Sequence, residues 1–196
     1  MKFHASARAP RLVAIAAAAA VLGSLLAVAP VEQPPAEASV IAVGTTYYVD
    51  ADGGHDDADG LGPGTAWRSL DRVNETTFAP GDRVLLQSGD SWTGRLWPKG
   101  SGTSDSPITV GSYGDGSKPA IRGDGTVDDA VRLFNQSHWV IRDLDVSNRR
   151  TGGATPAENL ADLRGIHVSG DNSTTLSGFS IIGVDVHDVT GEVNWI

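Results

Sequence analysis

The sequence predicts an all-β solenoid of many short strands, with one small helix ahead of them. Three observations carry this. First, "VIRDLDVSN" (140–148) is echoed forty residues later by "IIGVDVHD" (181–188), with Ile141 over Ile181, Leu144 over Val184 and Val146 over Val186. Second, residues two apart in a strand share a face, so Leu144 and Val146 point one way and Asp145 the other. Ile141 lies three before Leu144, which breaks the alternation unless a residue between them turns a corner in the left-handed region. Asp143 and Gly183 are the candidates, because Asp tolerates that conformation and Gly adopts it freely. Third, short apolar runs recur along the chain, separated by Gly, Asn, Asp and Ser. A β-sandwich also alternates, but it does not need a corner at the same place twice. A coil of stacked strands does.

The elements follow in order. Residues 46–49 ("TYYV") read as a strand, followed by a loop rich in Gly and Asp. Thr65 is placed as the N-cap of a helix over 66–74, with Trp67, Leu70 and Val73 on one face. "PGD" (80–82) is turn chemistry and delivers the strand "RVLLQSG". Further strands are expected at "GRLW", "ITVGSY", "AIRG", "VRLF", "WVIRDLDVS", "GIHVSG" and "FSIIGVDVHDV".

Ahead of all this, Lys2, Arg8 and Arg11 precede an uncharged apolar stretch (12–29), and "AEA" (36–38) offers a small-x-small cleavage site. That is the layout of a secretory signal over 1–38. A retained anchor is the competing reading, since eighteen apolar residues sit at the lower limit for a span. Removing 1–38 takes three of the 15 basic and two of the 24 acidic residues, leaving 12 and 22. That balance opposes nucleic acid or anionic membrane as a partner. With no cysteine, no disulfide staples the exported domain. The rest divides into a cap with first strands (39–130) and coils (131–196).

The runs "YYVDADGGHDDADGLGPGTAWRSLDRVN", "FAPGDRVLLQSGDSWTGRLWPKGSGTSDSPITVGSYGDGSKPAIRG" and "VRLFNQSHWVIRDLDVSN…GIHVSG…IIGVDVHDVTG" closely resemble the N-terminal part of secreted right-handed parallel β-helix proteins of the pectate-lyase-like superfamily. The resemblance covers nearly the whole exported chain. It implies a right-handed parallel β-helix whose first helix caps the open end of the solenoid. Members include polysaccharide lyases, glycoside hydrolases and proteins with no assigned reaction, so it is specific for fold and weak for activity. The forty-residue offset exceeds one coil of such folds, and an insertion over 148–164 accounts for most of the excess.

Asp145 and Asp185 are expected one above the other on the outer face, with His187 beside them. Stacked carboxylates repel unless a cation or an Arg lies between them or one is protonated. Solvated, splayed carboxylates are the leading reading, and a Ca²⁺ site is the functional expectation. An acid/base pair of the glycosidase type comes last, because nothing apolar nearby would raise one pKa. Arg149, Arg150 and Arg164 bracket the insertion and, with His187, are the candidates for binding an acidic sugar. Lys99 and Lys118 are read as solvated turn residues. Trp92, Trp97 and Trp139 offer either sugar stacking or packing. The run Asp50, Asp52, Asp56, Asp57, Asp59 lacks EF-hand spacing and reads as a polar turn. His138, His167 and His187 show no metal-ligand spacing. No catalytic residue is assigned.

The chain ends in a fresh alternation with two or three coils counted and no closing cap, so it is expected to be the front of a longer protein. The function expected of that protein is cleavage of an extracellular polysaccharide by elimination or hydrolysis. The competing expectation is a non-catalytic glycan-binding or surface-adhesion module.

Overall fold

The computed structural model describes residues 43–151 and 162–191. The expected leader, most of the insertion and positions 192–196 lie outside the described residues.

The described chain is nearly all β. Eleven short strands run in the order β1 (Thr46–Val49), β2 (Arg83–Gln87), β3 (Ser91–Thr93), β4 (Ile108–Tyr113), β5 (Ala120–Arg122), β6 (Asp129–Phe134), β7 (Trp139–Arg142), β8 (Asp145–Asn148), β9 (Arg164–Ser169), β10 (Phe179–Ile182) and β11 (Asp185–Val189). They form three sheets, ordered β1-β2-β4-β7-β10, β11-β8-β5-β3 and β6-β9. Every strand pair is parallel. From β4 onward the chain visits the first, second and third sheet in turn, then returns to lie beside its previous pass. "GRLW" belongs to this scheme as a single bridge, Leu96 to Val131, rather than the expected strand. β3, which was not anticipated, supplies the second-sheet strand of that circuit. The first sheet holds five strands, more passes than the two or three counted from the repeat, because β1, β2 and β4 match in register without matching in sequence.

Stacking one pass on the next builds the core as three apolar ladders. Val84, Val110 and Ile141 pair in succession through the first sheet. Trp92, Ile121 and Val146 do so through the second, and Leu96, Val131 and Ile166 through the third. All but the half-buried Ile166 are buried. Each such side chain contributes roughly 1.5–3 kcal/mol by leaving water.

The forty-residue repeat has its expected geometry. Ile181 pairs with Ile141, and Asp185 and Val186 pair with Asp145 and Val146. Both corner residues are left-handed, Asp143 at φ 55° and Gly183 at φ 63°.

The helix α1 (Leu70–Glu75) starts later than the sequence predicts. Its N-cap is Ser69, whose hydroxyl accepts the Arg72 amide at 3.1 Å, and 63–65 forms only a 3-10 turn. Segment 66–69 is held extended instead. The Trp67 amide donates to Tyr48 O at 2.9 Å, and Asp56 Oδ1 accepts the amides of Arg68 and Ser69. Trp67, Leu70 and Val73 are nonetheless all buried. The acidic run works as turn chemistry, with Asp50 accepting the amides of Asp52 and Gly53 and Asp59 that of Leu61. In the "PGD" turn, buried Asp82 accepts the amides of Thr45 and Ala79.

Candidate functional site

The outward face of the second sheet gathers most of the residues singled out in the sequence. Alternation along its strands sends Trp92, Ile121 and Val146 inward and leaves two outward rows. One row is Ser91, Ala120, Asp145 and Asp185; the other is Thr93, Arg122, Ser147 and His187. Four strands thus carry a polar strip, continuous along the Arg122 row and interrupted at buried Ala120 in the Asp145 row.

Arg122 stands at the middle of the strip. Its guanidinium donates to Asp145 Oδ1, donates to Ser147 Oγ at 3.1 Å, and lies 3.5 Å from His187 Nε2. His187 is held between two carboxylates, with Nε2 at 2.9 Å from Asp145 Oδ1 and Nδ1 at 3.0 Å from Asp188 Oδ2. With an acceptor at each ring nitrogen, the doubly protonated imidazolium is the favoured form. The contacts with Asp188 and then Asp145 accordingly raise the His187 pKa above its ordinary value. Partial burial opposes ionisation of Asp145. Hydrogen bonds from His187 and Arg122 outweigh it, and the carboxyl is held below the usual carboxylate range. Asp145 therefore faces the strip as an anion, and His187 holds its second proton to a higher pH than a free imidazole does.

Asp185 is the register partner of Asp145 but answers to a different cation. Lys118, expected in a solvated turn, donates from Nζ to Asp185 Oδ2 at 2.8 Å. A Ca²⁺ ion bridging the two aspartates would therefore have to displace Lys118 and the Arg122–His187 pair. Among the described residues no group of three or more His, Asp and Glu converges as a metal cage.

The remaining candidates separate. Arg149 is exposed at the margin of the strip, 3.9 Å from Asp188. Arg150 meets the residue after β11 through its backbone, whose amide donates to Thr190 Oγ1 at 3.1 Å. Arg164 lies in the third sheet, donating to Asp129 at 3.0 Å and pairing with Asp162, and takes no part in the strip. Asn148, fully buried at the end of β8, anchors the base of the insertion: its Nδ2 reaches Val127 O, Arg164 O and Asp128 O, and its Oδ1 accepts the Gly125 amide. Trp92 and Trp139 are packed, with their indole N–H groups donating to Arg68 O and Gly100 O. Trp97 is half-buried and covered by cations, Lys99 Nζ at 3.0 Å and Arg132 Cζ at 5.0 Å from its ring centre.

Arg122, Ser147 and Lys118 were not recognised from the sequence. The available signal is parity: in "AIRG", Arg122 must face outward once Ile121 faces inward. Placing it beside Asp145 also needs the register between β5 and β8, and no repeated motif marks it.

No family model matches the chain. It is 26% identical over 202 residues to the lacto-N-biosidase of Bifidobacterium longum subsp. longum, an alignment covering 80% of this chain and 13% of that protein. Among solved structures it resembles the GH136 lacto-N-biosidase from Eubacterium ramulus. The selenomethionine derivative gives a TM-score of 0.66 at 27% identity, covering 74% of this chain and 27% of that one. The native protein gives 0.63 at 26%, with the same coverage. The chain thus spans well under a third of the length of each relative. These similarities connect it to carbohydrate-active glycoside hydrolases. They give no support to the polysaccharide-lyase branch of the sequence expectation.

Proposed function

We propose that this chain is part of an exported glycoside hydrolase, built on a right-handed parallel β-helix, that acts on an extracellular glycan ending in a lacto-N-biose unit. The likeness to GH136 lacto-N-biosidase, in sequence and in fold together, carries this reading. The handedness follows the rule that parallel crossover connections are right-handed, and the cyclic visiting of three parallel sheets supports a helix of coils. Residues 1–38 serve as the export leader.

In this reading the strip on the second sheet is a sugar-contact surface. Arg122 and His187 supply donors, and Asp145 and Asp185 supply acceptors, a mixed set suited to vicinal hydroxyls. Glycoside hydrolysis by the usual route needs one carboxyl group that keeps its proton and a second that is ionised. Asp145 is held ionised and Asp185 is paired with Lys118, so neither is assigned as the proton donor. That same observation favours a second reading, a glycan-binding module without its own chemistry.

The test follows release of free disaccharide from a lacto-N-biose-terminated oligosaccharide by chromatography, alongside a calorimetric titration with the same ligand. Release that falls about tenfold or more in Arg122→Ala, the loss expected from one charge-assisted contact, supports the hydrolase. Binding without release supports the binding module. Neither binding nor release overturns both.

A further inference from the structure

A second charged assembly lies outside the strip, on the third sheet and the segment leading into it. At its centre the Asp129 carboxylate is almost completely buried, with a side-chain exposure of 2%. Arg164 Nη1 donates to it at 3.0 Å and Arg132 Nη1 lies at 3.7 Å. His167 Nδ1 stands 2.9 Å away but off the line of a hydrogen bond, and it has no hydrogen-bond partner among the described residues. Arg95 donates to the Asp129 backbone carbonyl at 3.2 Å, and its outer nitrogen is 4.0 Å from exposed Asp128. Lys99 stacks on Trp97, which Arg132 also approaches.

Among the described residues, Arg95, Lys99, Arg132 and Arg164 face Asp128, Asp129 and Asp162, leaving one positive charge over. In a chain whose formal net charge is −9, a local surplus of this sign stands out. Donors are in surplus as well, since among the described residues Trp97 Nε1 and Arg132 Nε are buried without acceptors. Among the described residues no carboxylate is within ion-pair reach of Lys99. Its ammonium is crowded instead: burial, then Arg132, then Arg95 push its pKa below the ordinary lysine value. An oxyanion arriving there would relieve that crowding.

The frame is rigid. Asn74, in α1, accepts the Trp97 amide at 2.6 Å and donates to Arg95 O at 2.8 Å. The Phe78 amide donates to Lys99 O at 2.9 Å, and buried Gln136 donates to Pro98 O at 2.7 Å. The backbone carrying Arg95, Trp97 and Lys99 is therefore fixed from three sides, while the arginine side chains remain about a quarter exposed, Arg95 at 23% and Arg132 at 25%. Such an arrangement presents charge without first having to order it.

We propose that Lys99, Arg95 and Arg132, set around Trp97, form a binding site for an oxyanion carried on a sugar, either a carboxylate or a sulfate ester. Guanidinium groups match both anions in shape, and the ammonium adds a point charge. Both ring approaches described for Trp97 are made by cations, so the tryptophan orients those cations rather than stacking on a sugar. That the anion rides on a glycan rests on the proposed function; the anion site itself rests on these residues alone.

The test is calorimetric titration of the whole protein with three oligosaccharides of equal length: a uronic-acid oligomer, a sulfated one and a neutral one. Tighter binding of the acidic ligands than of the neutral one is expected, and the tighter of the two acidic ligands identifies the natural anion. Lys99→Met keeps an aliphatic stem against Trp97, and Arg95→Gln leaves the Asp129 carboxylate untouched. Each is expected to weaken acidic-ligand binding about tenfold or more. Arg83→Gln removes the same charge from an exposed position on the first sheet and is expected to change little. Equal binding of neutral and acidic ligands, a folded Lys99→Met or Arg95→Gln that binds as the parent does, or an equal loss in Arg83→Gln overturns the proposal. Because the readout is binding, a failure of disaccharide release leaves it standing, and its own failure leaves the hydrolase reading standing.

Discussion

The β7–β8 corner and the β10–β11 corner are the same motif written twice, and they differ most in burial. Register, corner conformation and the aspartate after the corner agree between them. Burial does not: Ile141 is 1% exposed and its partner Ile181 52%, while Val146 is 0% exposed and Val186 48%. β7 and β8 have a strand on both sides, and β10 and β11 have one on only one side among the described residues. The sequence pattern therefore dictates backbone geometry locally, whereas burial is a property of the stack. An apolar residue in a coil acquires its stabilising value from the pass laid over it.

The largest effect should come from breaking that difference at the isoleucines. Ile141→Ala removes a fully buried side chain and leaves a cavity, and should cost about 2–5 kcal/mol in urea unfolding. Ile181→Ala, half exposed already, should cost about 1 kcal/mol. Equal costs would mean that Ile181 is covered in solution as thoroughly as Ile141.

The corners themselves come next. Asp143 and Gly183 solve the same backbone problem with different residues, so the tolerance of each corner should follow its φ rather than its burial. Gly183→Val forces a β-branched residue to φ 63° and brings its Cβ to 2.7 Å from Asp143 Oδ1. We expect a loss of roughly 1–2 kcal/mol. Gly183→Asn, suited to that region, should cost much less. A valine as well tolerated as asparagine would show that the second corner is not held in the left-handed conformation.

These two corners also mark how far the sequence could be read. The pairing of Ile181 with Ile141 and the left-handed turns were legible because one motif carried both, and alternation then placed Asp145 and His187 on a common face. Arg122 was not legible, since its contact with Asp145 depends on the β5–β8 register, which no repeat announces. Lys118 looked like a turn residue because its partner, Asp185, is 67 positions away. The helix start was misplaced because Asp56, thirteen residues upstream of Ser69, holds the preceding segment extended. In each miss a long-range hydrogen bond or ion pair overrode a local signal, and the inner ladders suffered less because apolar alternation is itself local.

The strip offers a third way to sharpen the comparison, through pH. His187 on the outer pass is tied to Asp145 on the inner one, so the link between passes should depend on its charge. Its folded pKa is raised above the ordinary 6.5. The stability it contributes is therefore fully present below about pH 6.5 and is lost as pH rises through the higher folded value. Asp145 works in the opposite direction: its folded pKa is lowered from 3.8, so its contribution is present above that value and is lost as pH falls through the folded one. The Tm difference between the parent and His187→Gln should be largest in mildly acidic buffer and shrink toward alkaline pH. A difference that grows with pH would show that the ring binds as the neutral tautomer.

The smallest effect concerns the two aspartates, which occupy the same register position on successive passes but have separate cations. In the parent, Lys118 neutralises Asp185 and keeps it from Asp145, so millimolar Ca²⁺ should leave Tm nearly unchanged. Lys118→Ala removes an exposed pair worth at most about 1 kcal/mol and leaves two carboxylates on strands about 4.8 Å apart. Ca²⁺ should then restore stability by about 0.5 kcal/mol, or roughly 1–2 °C in Tm, because oxygen ligands at that spacing suit a hard cation. A gain of the same size in the parent would mean that Ca²⁺ displaces the lysine unaided, making the aspartates a resident metal site. No gain in either protein would mean that Arg122 and His187 alone hold Asp145 away from its neighbour, and that these two passes are joined through the imidazolium rather than across the carboxylates.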